Sequence, residues 1–169
     1  MSLTILVSRE SRLEKYFVSS KLSPSMNKNA WNEQIDLVKD MLLDTFGFEV
    51  VFLSGESDRV DLEERVIYIN SRCHPETKFY TLLHEYGHVE LTELGADALS
   101  IAVPSYKSFH ATRSSRSNSG KIATIVEEIE AWKRGRLLAL REGMHISVKK
   151  YEKHMNDALM SYILWAAGA

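Results

Sequence analysis

The feature that most constrains this 169-residue chain is the stretch His84-Glu85-Tyr86-Gly87-His88, which reads H-E-x-x-H. On a helix, residues four apart share a face, so His84 and His88 can turn two imidazole nitrogens toward one ion. Glu85 stands beside them, where a carboxylate can take the proton of an attacking water. Zinc suits these donors because it accepts nitrogen and carboxylate ligands and can keep one position open for water. Leu82, Leu83, Val89 and Leu91 supply apolar surface on both sides, which predicts a buried helix from about Glu76 to about Leu94. Gly87 lowers helix propensity by roughly 1 kcal/mol relative to Ala. A glycine between two candidate ligands points to something packed closely against it.

Helical spacing of apolar residues predicts a helix over 29–46, with Asn29 as N-cap and Gly47 as terminator. A second helix is expected over 122–140 and a third from the N-cap Ser147 to about Ala167. Runs rich in Val, Ile and Phe predict strands over 48–53 and 65–70, paired as a hairpin or as neighbours in a small sheet. Near the N-terminus, residues 3–7 read as a short strand and 8–18 as a helix. Residues 105–121, SYKSFHATRSSRSNSGK, read as a long flexible loop, either a solvated linker or a flap over a cleft. The expected fold class is α+β, mostly helical, with a short few-stranded sheet.

A chain of this length makes one domain, here taken as residues 1–169. A formal charge of −2 argues against a strongly electrostatic nucleic-acid binder. Lys107, Arg113, Arg116, Lys121, Lys133, Arg134 and Arg136 still allow a local basic surface, so nucleic acid remains a possible partner. Cys73 is the only cysteine, which excludes an intrachain disulfide and a zinc site built from several thiolates. Neither a signal peptide nor a membrane span is expected, and a reducing cytoplasm fits this composition. Cys73 and His74 precede the motif helix in what reads as a turn.

Two histidines do not complete a catalytic zinc site, which wants three protein ligands. No later histidine follows in an H-x-x-G-x-x-H continuation, so a carboxylate from another helix is the remaining route. Glu127, Glu128 and Glu130 cluster in the apolar 122–140 helix. Glu127 and Glu130 share a face, and Glu128 is expected to point elsewhere. Glu130 is the preferred ligand, because Ala131 beside it allows close helix packing. Glu127 is then an outer partner, or the two exchange roles. Tyr106, His110, His145, Tyr151 and His154 are candidates by type for stabilising a developing oxyanion.

The pairing of "YTLLHEYGH" with the downstream "EEIEAWKRGRLLAL" resembles the ImmA/IrrE-type zinc metallopeptidases, gluzincins that include phage-encoded relatives. The resemblance implies a zincin-like domain with a small sheet packed on helices and one Zn2+ per chain. It implies His84 and His88 as zinc ligands, Glu85 as catalytic base and a Glu of the second motif as third ligand. The second motif departs from many relatives: Glu130-Ala131-Trp132 stands where they carry Glu-Ala-Asn. The expected function is hydrolysis of peptide bonds in a protein or peptide substrate. The alternative is a catalytically silent zinc-binding module, regulatory or DNA-associated, on the same fold.

Overall fold

The computed structural model describes residues 26–93 and 117–168. Over these it holds helix α1 (Lys28–Phe46), strands β1 (Glu49–Leu53), β2 (Arg59–Asp61) and β3 (Val66–Asn70), and helices α2 (Pro75–Glu93), α3 (Asn118–Arg141) and α4 (Val148–Ala167). The class is α+β, as expected. The strand and helix read over 3–18 lie outside the described residues, as does 105–116 of the expected loop. The last residues of that loop are helical instead. Ser117 caps α3, its hydroxyl accepting from the Gly120 N–H at 3.0 Å, so the helix starts four residues earlier than its apolar pattern.

Helix α1 begins after Asn27, not at Asn29, because the Asn27 side chain accepts from the Ala30 N–H at 2.9 Å. Gly47, at φ +70°, ends it in the left-handed region, and its N–H returns to the last-turn carbonyls. Trp31, Ile35, Val38 and Leu42 form its buried stripe. Trp31 meets Phe79 and Tyr80 of α2 at ring separations of 5.6 and 5.9 Å.

The sheet is three-stranded, in the order β1-β3-β2. β1 pairs parallel with β3, and β2 pairs antiparallel with it. The two strands read from sequence are therefore neighbours and not a hairpin. The polar connection between them supplies the unexpected third strand. Its return turn is built by Asp61, whose Oδ1 accepts from the Glu63 and Glu64 N–H groups at 3.1 and 3.0 Å. Ile67 and Ile69 alternate onto the buried face of β3.

Helix α2 is central and packs against α1, α3, α4, β2 and β3. Every residue from Phe79 to Gly87 is buried, so this helix has no solvent face over its middle turns. Its closest partner is α3. A Cβ built on Gly87 would lie 2.6 Å from the Ala131 carbonyl carbon and 2.8 Å from its Cα. A Cβ on Gly135 would lie 2.6 Å from the Leu83 carbonyl carbon. The two helices touch backbone to backbone at two points about one turn apart, and only glycine fits at either point.

This contact generates a test. Helix propensity alone predicts that Gly87→Ala stabilises the protein by roughly 1 kcal/mol. The packing predicts the reverse, a net loss of about 1–3 kcal/mol or more from overpacking against backbone that cannot move aside. Denaturant unfolding of Gly87→Ala and Gly135→Ala decides between them, and a gain in stability in both would contradict the close crossing.

Candidate metal centre

The α2/α3 crossing brings three side chains together: His84 and His88 from α2 and Glu128 from α3. The two Nε2 atoms are 3.2 Å apart. Glu128 Oε2 lies 3.3 Å from His84 Nε2 and 3.6 Å from His88 Nε2. Donors at usual zinc distances and tetrahedral angles stand about 3.3–3.4 Å from one another. The three measured separations are close to three edges of such a tetrahedron. Glu128 Oε2 is buried and in hydrogen-bond geometry with nothing, and the same is true of His84 Nδ1. A buried carboxylate oxygen without a donor is costly unless a cation meets it. The donor set, two imidazoles and one carboxylate, is that of a catalytic zinc site with a fourth position open. The residues therefore fit the metal that the motif implies.

The third member of the group is not the residue preferred from sequence. Glu128, expected to point elsewhere, faces the histidines and is 7% exposed. Glu130 does not join them: its Oε1 takes Lys133 Nζ at 2.6 Å, with the side chain 30% exposed. The reason lies in the crossing. Ala131 is the point of α3 nearest α2, and the residue sharing its face one turn earlier is 128. Residue 130 is turned about 100° away around the helix. The signal was present in the small residues Ala131 and Gly135, which mark the contact line of α3. Reading three residues back from Ala131 leads to Glu128. Glu127 stands 3.7 Å from His88 Nδ1, on the other ring nitrogen, where an outer partner would orient the ring.

Trp132 stacks on His84 at 4.3 Å between ring centres and 20° between planes, and His84 meets His88 edge-on at 4.6 Å. The tryptophan thus limits rotation of one imidazole while Glu127 flanks the other. His74 and Cys73 are not in the group. The Nδ1 of His74 accepts from the Glu76 N–H at 3.2 Å at the start of α2.

Burial lowers the pKa of His84. It also opposes charge on His88, but the neighbouring carboxylates of Glu127 and Glu128 prevail and raise His88 to about 10. Burial favours the neutral form of Glu128, yet the two adjacent imidazoles of His84 and His88 bring it down to about 2. Without a cation, the group is therefore held together by a proton on His88 facing an ionised Glu128. A metal ion takes the place of that proton. Glu85 is 6% exposed, and its burial raises the carboxyl to about 7.

The group opens onto a cleft of about 300 Å³ lined also by Glu85, Glu127, Thr92, Tyr162 and the β2 edge from Asp58 to Val60. Tyr162 was not anticipated from sequence. Burial, then the Glu128 charge, raises its pKa, so it remains a protonated donor. The oxyanion candidates that are described lie elsewhere. Tyr151 is buried and donates to the Trp132 carbonyl at 2.8 Å. His154 lies 3.4 Å from Thr81 Oγ1 and lines a separate pocket with Glu76 and Lys150. The His145 backbone is tied to Gln34 of α1. Tyr106 and His110 lie outside the described residues.

Residues 43–111 match the family model of the IrrE N-terminal-like domain, Peptidase_M78. Over that segment the chain is similar to the IrrE N-terminal-like domain. The segment holds the whole sheet and α2, hence His84, Glu85 and His88, and it ends before α3. The assignment of Glu128 therefore rests on geometry alone. No curated protein and no solved structure matches the chain. No helix among the described residues is long and apolar enough to cross a membrane.

Zinc content after purification tests the donor set. The parent should carry about one zinc per chain. His88→Ala and Glu128→Ala should lose it, and Glu130→Ala should keep it. Retention in Glu128→Ala with loss in Glu130→Ala would show the group has been misassigned.

Proposed function

We propose that the chain is a zinc-dependent peptidase that hydrolyses peptide bonds of a protein or peptide substrate. The observation that carries this reading is the near-tetrahedral spacing of His84, His88 and Glu128 beside the buried carboxyl of Glu85. The match to an IrrE N-terminal-like domain supports it independently. His84, His88 and Glu128 would hold the ion. Bound zinc supplies Lewis acidity, which brings the pKa of water toward about 7 and polarises a carbonyl.

The remaining work falls to Glu85. Its carboxyl is raised to about 7 by burial, far above an exposed glutamate, and a cation in the cleft draws it back toward the ionised form. An ionised Glu85 accepts the proton of the attacking water. Once protonated, it delivers that proton to the departing amine nitrogen, which leaves as a neutral amine. No covalent bond to the protein forms, and Glu85 ends in its starting state. Asp58, Arg59 and Val60, at the β2 edge, line the same cleft.

Glu85→Gln separates chemistry from metal binding, because the amide keeps the size of the side chain and loses the base. With a fluorescence-quenched peptide library as substrate, turnover should fall about 100-fold or more. Zinc content should be unchanged. A parent that carries zinc and cleaves no peptide in the library, nor loses any biological effect on Glu85→Gln substitution, would favour a silent zinc-binding module instead.

A further inference from the structure

Beside the metal cleft, α3 and α4 form a second hollow of about 340 Å³, lined by Thr124, Ser161, Tyr162 and Trp165. Tyr162 also lines the metal cleft, so one side chain borders both spaces. Thr124 stands on α3 one turn before Glu127 and Glu128, about 4.5–6 Å along the helix axis. Successive residues of an extended peptide advance about 3.3 Å. A peptide with its scissile bond at the histidines therefore brings a side chain one or two positions along to the hollow.

The chemistry of the lining decides what fits. Thr124 Oγ1 donates to the Gly120 carbonyl at 3.2 Å, and Ser161 Oγ donates to the Ala158 carbonyl at 2.7 Å. Both hydroxyl protons are thus committed to the helices that carry them, and the surface left to a guest is mainly apolar. Lys121 fixes the far wall: its Nζ donates to the Ala166 carbonyl at 2.8 Å and lies 5.9 Å from the Trp165 ring centre. The last turn of α4 is thereby tied to α3. Trp165 is 41% exposed, so an apolar guest covers aromatic surface that water otherwise touches. A charged guest loses hydration with no opposite charge among the lining residues. We propose that this hollow receives one large apolar side chain, such as leucine or phenylalanine, of the peptide lying in the cleft, with Tyr162 and Trp165 as its walls. This rests on the peptidase reading above and names a preference for its substrate.

The test uses labelled peptides identical except at one position, which carries Gly, Ala, Asp, Lys, Leu or Phe and is moved along the peptide. Binding to the zinc-loaded full chain bearing Glu85→Gln is read by fluorescence anisotropy, and cleavage by the zinc-loaded parent is followed in parallel. At one position Leu and Phe should bind about 10-fold tighter than Gly, or more. Two further substitutions, each at an exposed position, probe the walls. Trp165→Ala removes one wall, and Ser161→Trp puts a ring into the hollow. Each should lose most of the Leu and Phe advantage, bind the Gly peptide as before, and keep its zinc and the parent thermal midpoint. If one of them fails to fold, the other decides. Absence of any position that prefers Leu or Phe would overturn the proposal, as would a preference for Asp or Lys. An advantage that survives unchanged in the folded variants would also overturn it, by moving selection elsewhere. Peptides bound with the expected preference, released by both substitutions and never cut by the parent would leave the hollow assigned and sink the peptidase reading instead.

Discussion

Everything in the site depends on how closely α2 and α3 approach. Gly87 rests on the Ala131 backbone and Gly135 on that of Leu83. Two side-chain-free points fix both the separation of the helices and their rotation about their own axes. The rotation matters more for chemistry. It decides which residues of α3 look at His84 and His88, and a slip of two residues would replace Glu128 with the surface-paired Glu130. A helix crossing set by backbone contact is stiff, because a Cβ-sized gap cannot be taken up by a change of rotamer. The donor atoms inherit that stiffness.

The burial of α2 has an electrostatic consequence. A helix surrounded by α1, the sheet, α3 and α4 carries His84, Glu85 and, across the crossing, Glu128 into a region with little water. Desolvation opposes charge on each of them. The arrangement tolerates this by pairing: His88 stays charged and Glu128 stays ionised because each stabilises the other. Such a pair is a weak source of stability, since desolvation offsets much of the attraction. It is well suited to binding a divalent ion, which satisfies Oε2 and both imidazoles at once. Glu85 has no such partner and is left with a raised pKa. The same burial therefore yields an ionised ligand and a base tuned near neutrality, distinguished by what stands next to each.

Much was legible in the residues taken alone. The helices over 28–46, 75–93 and 148–167 follow from apolar spacing with Asn, Pro, Gly and Ser at their ends, because capping chemistry is local. The interpretation of Gly87 as a point of close approach also follows, since nothing in an isolated helix favours glycine. The short β2 was not legible. Three residues, Arg59–Asp61, in a polar stretch show no alternation, and they become a strand only because β3 offers an edge. Glu130 was preferred over Glu128 because adjacency to Ala131 was read along the chain, whereas packing acts along the helix face. Tyr162 was invisible because no local signal links a C-terminal helix to a motif about 75 residues earlier.

The amino-acid sequence by itself determined the two imidazoles and the carboxyl of the H-E-x-x-H turn, since residues one and four apart on a helix hold their relation wherever the helix goes. It pointed as well to a third donor from outside the motif, with the carboxylates of the 122–140 helix as its candidates. Which carboxylate is grouped with the histidines, and which side chain of α4 lines the cleft beside them, only the tertiary structure decided. Those choices depend on the rotation of α3 and the reach of α4 against α2. Both are set by contacts between residues some 45 to 80 positions apart, and no local periodicity encodes them.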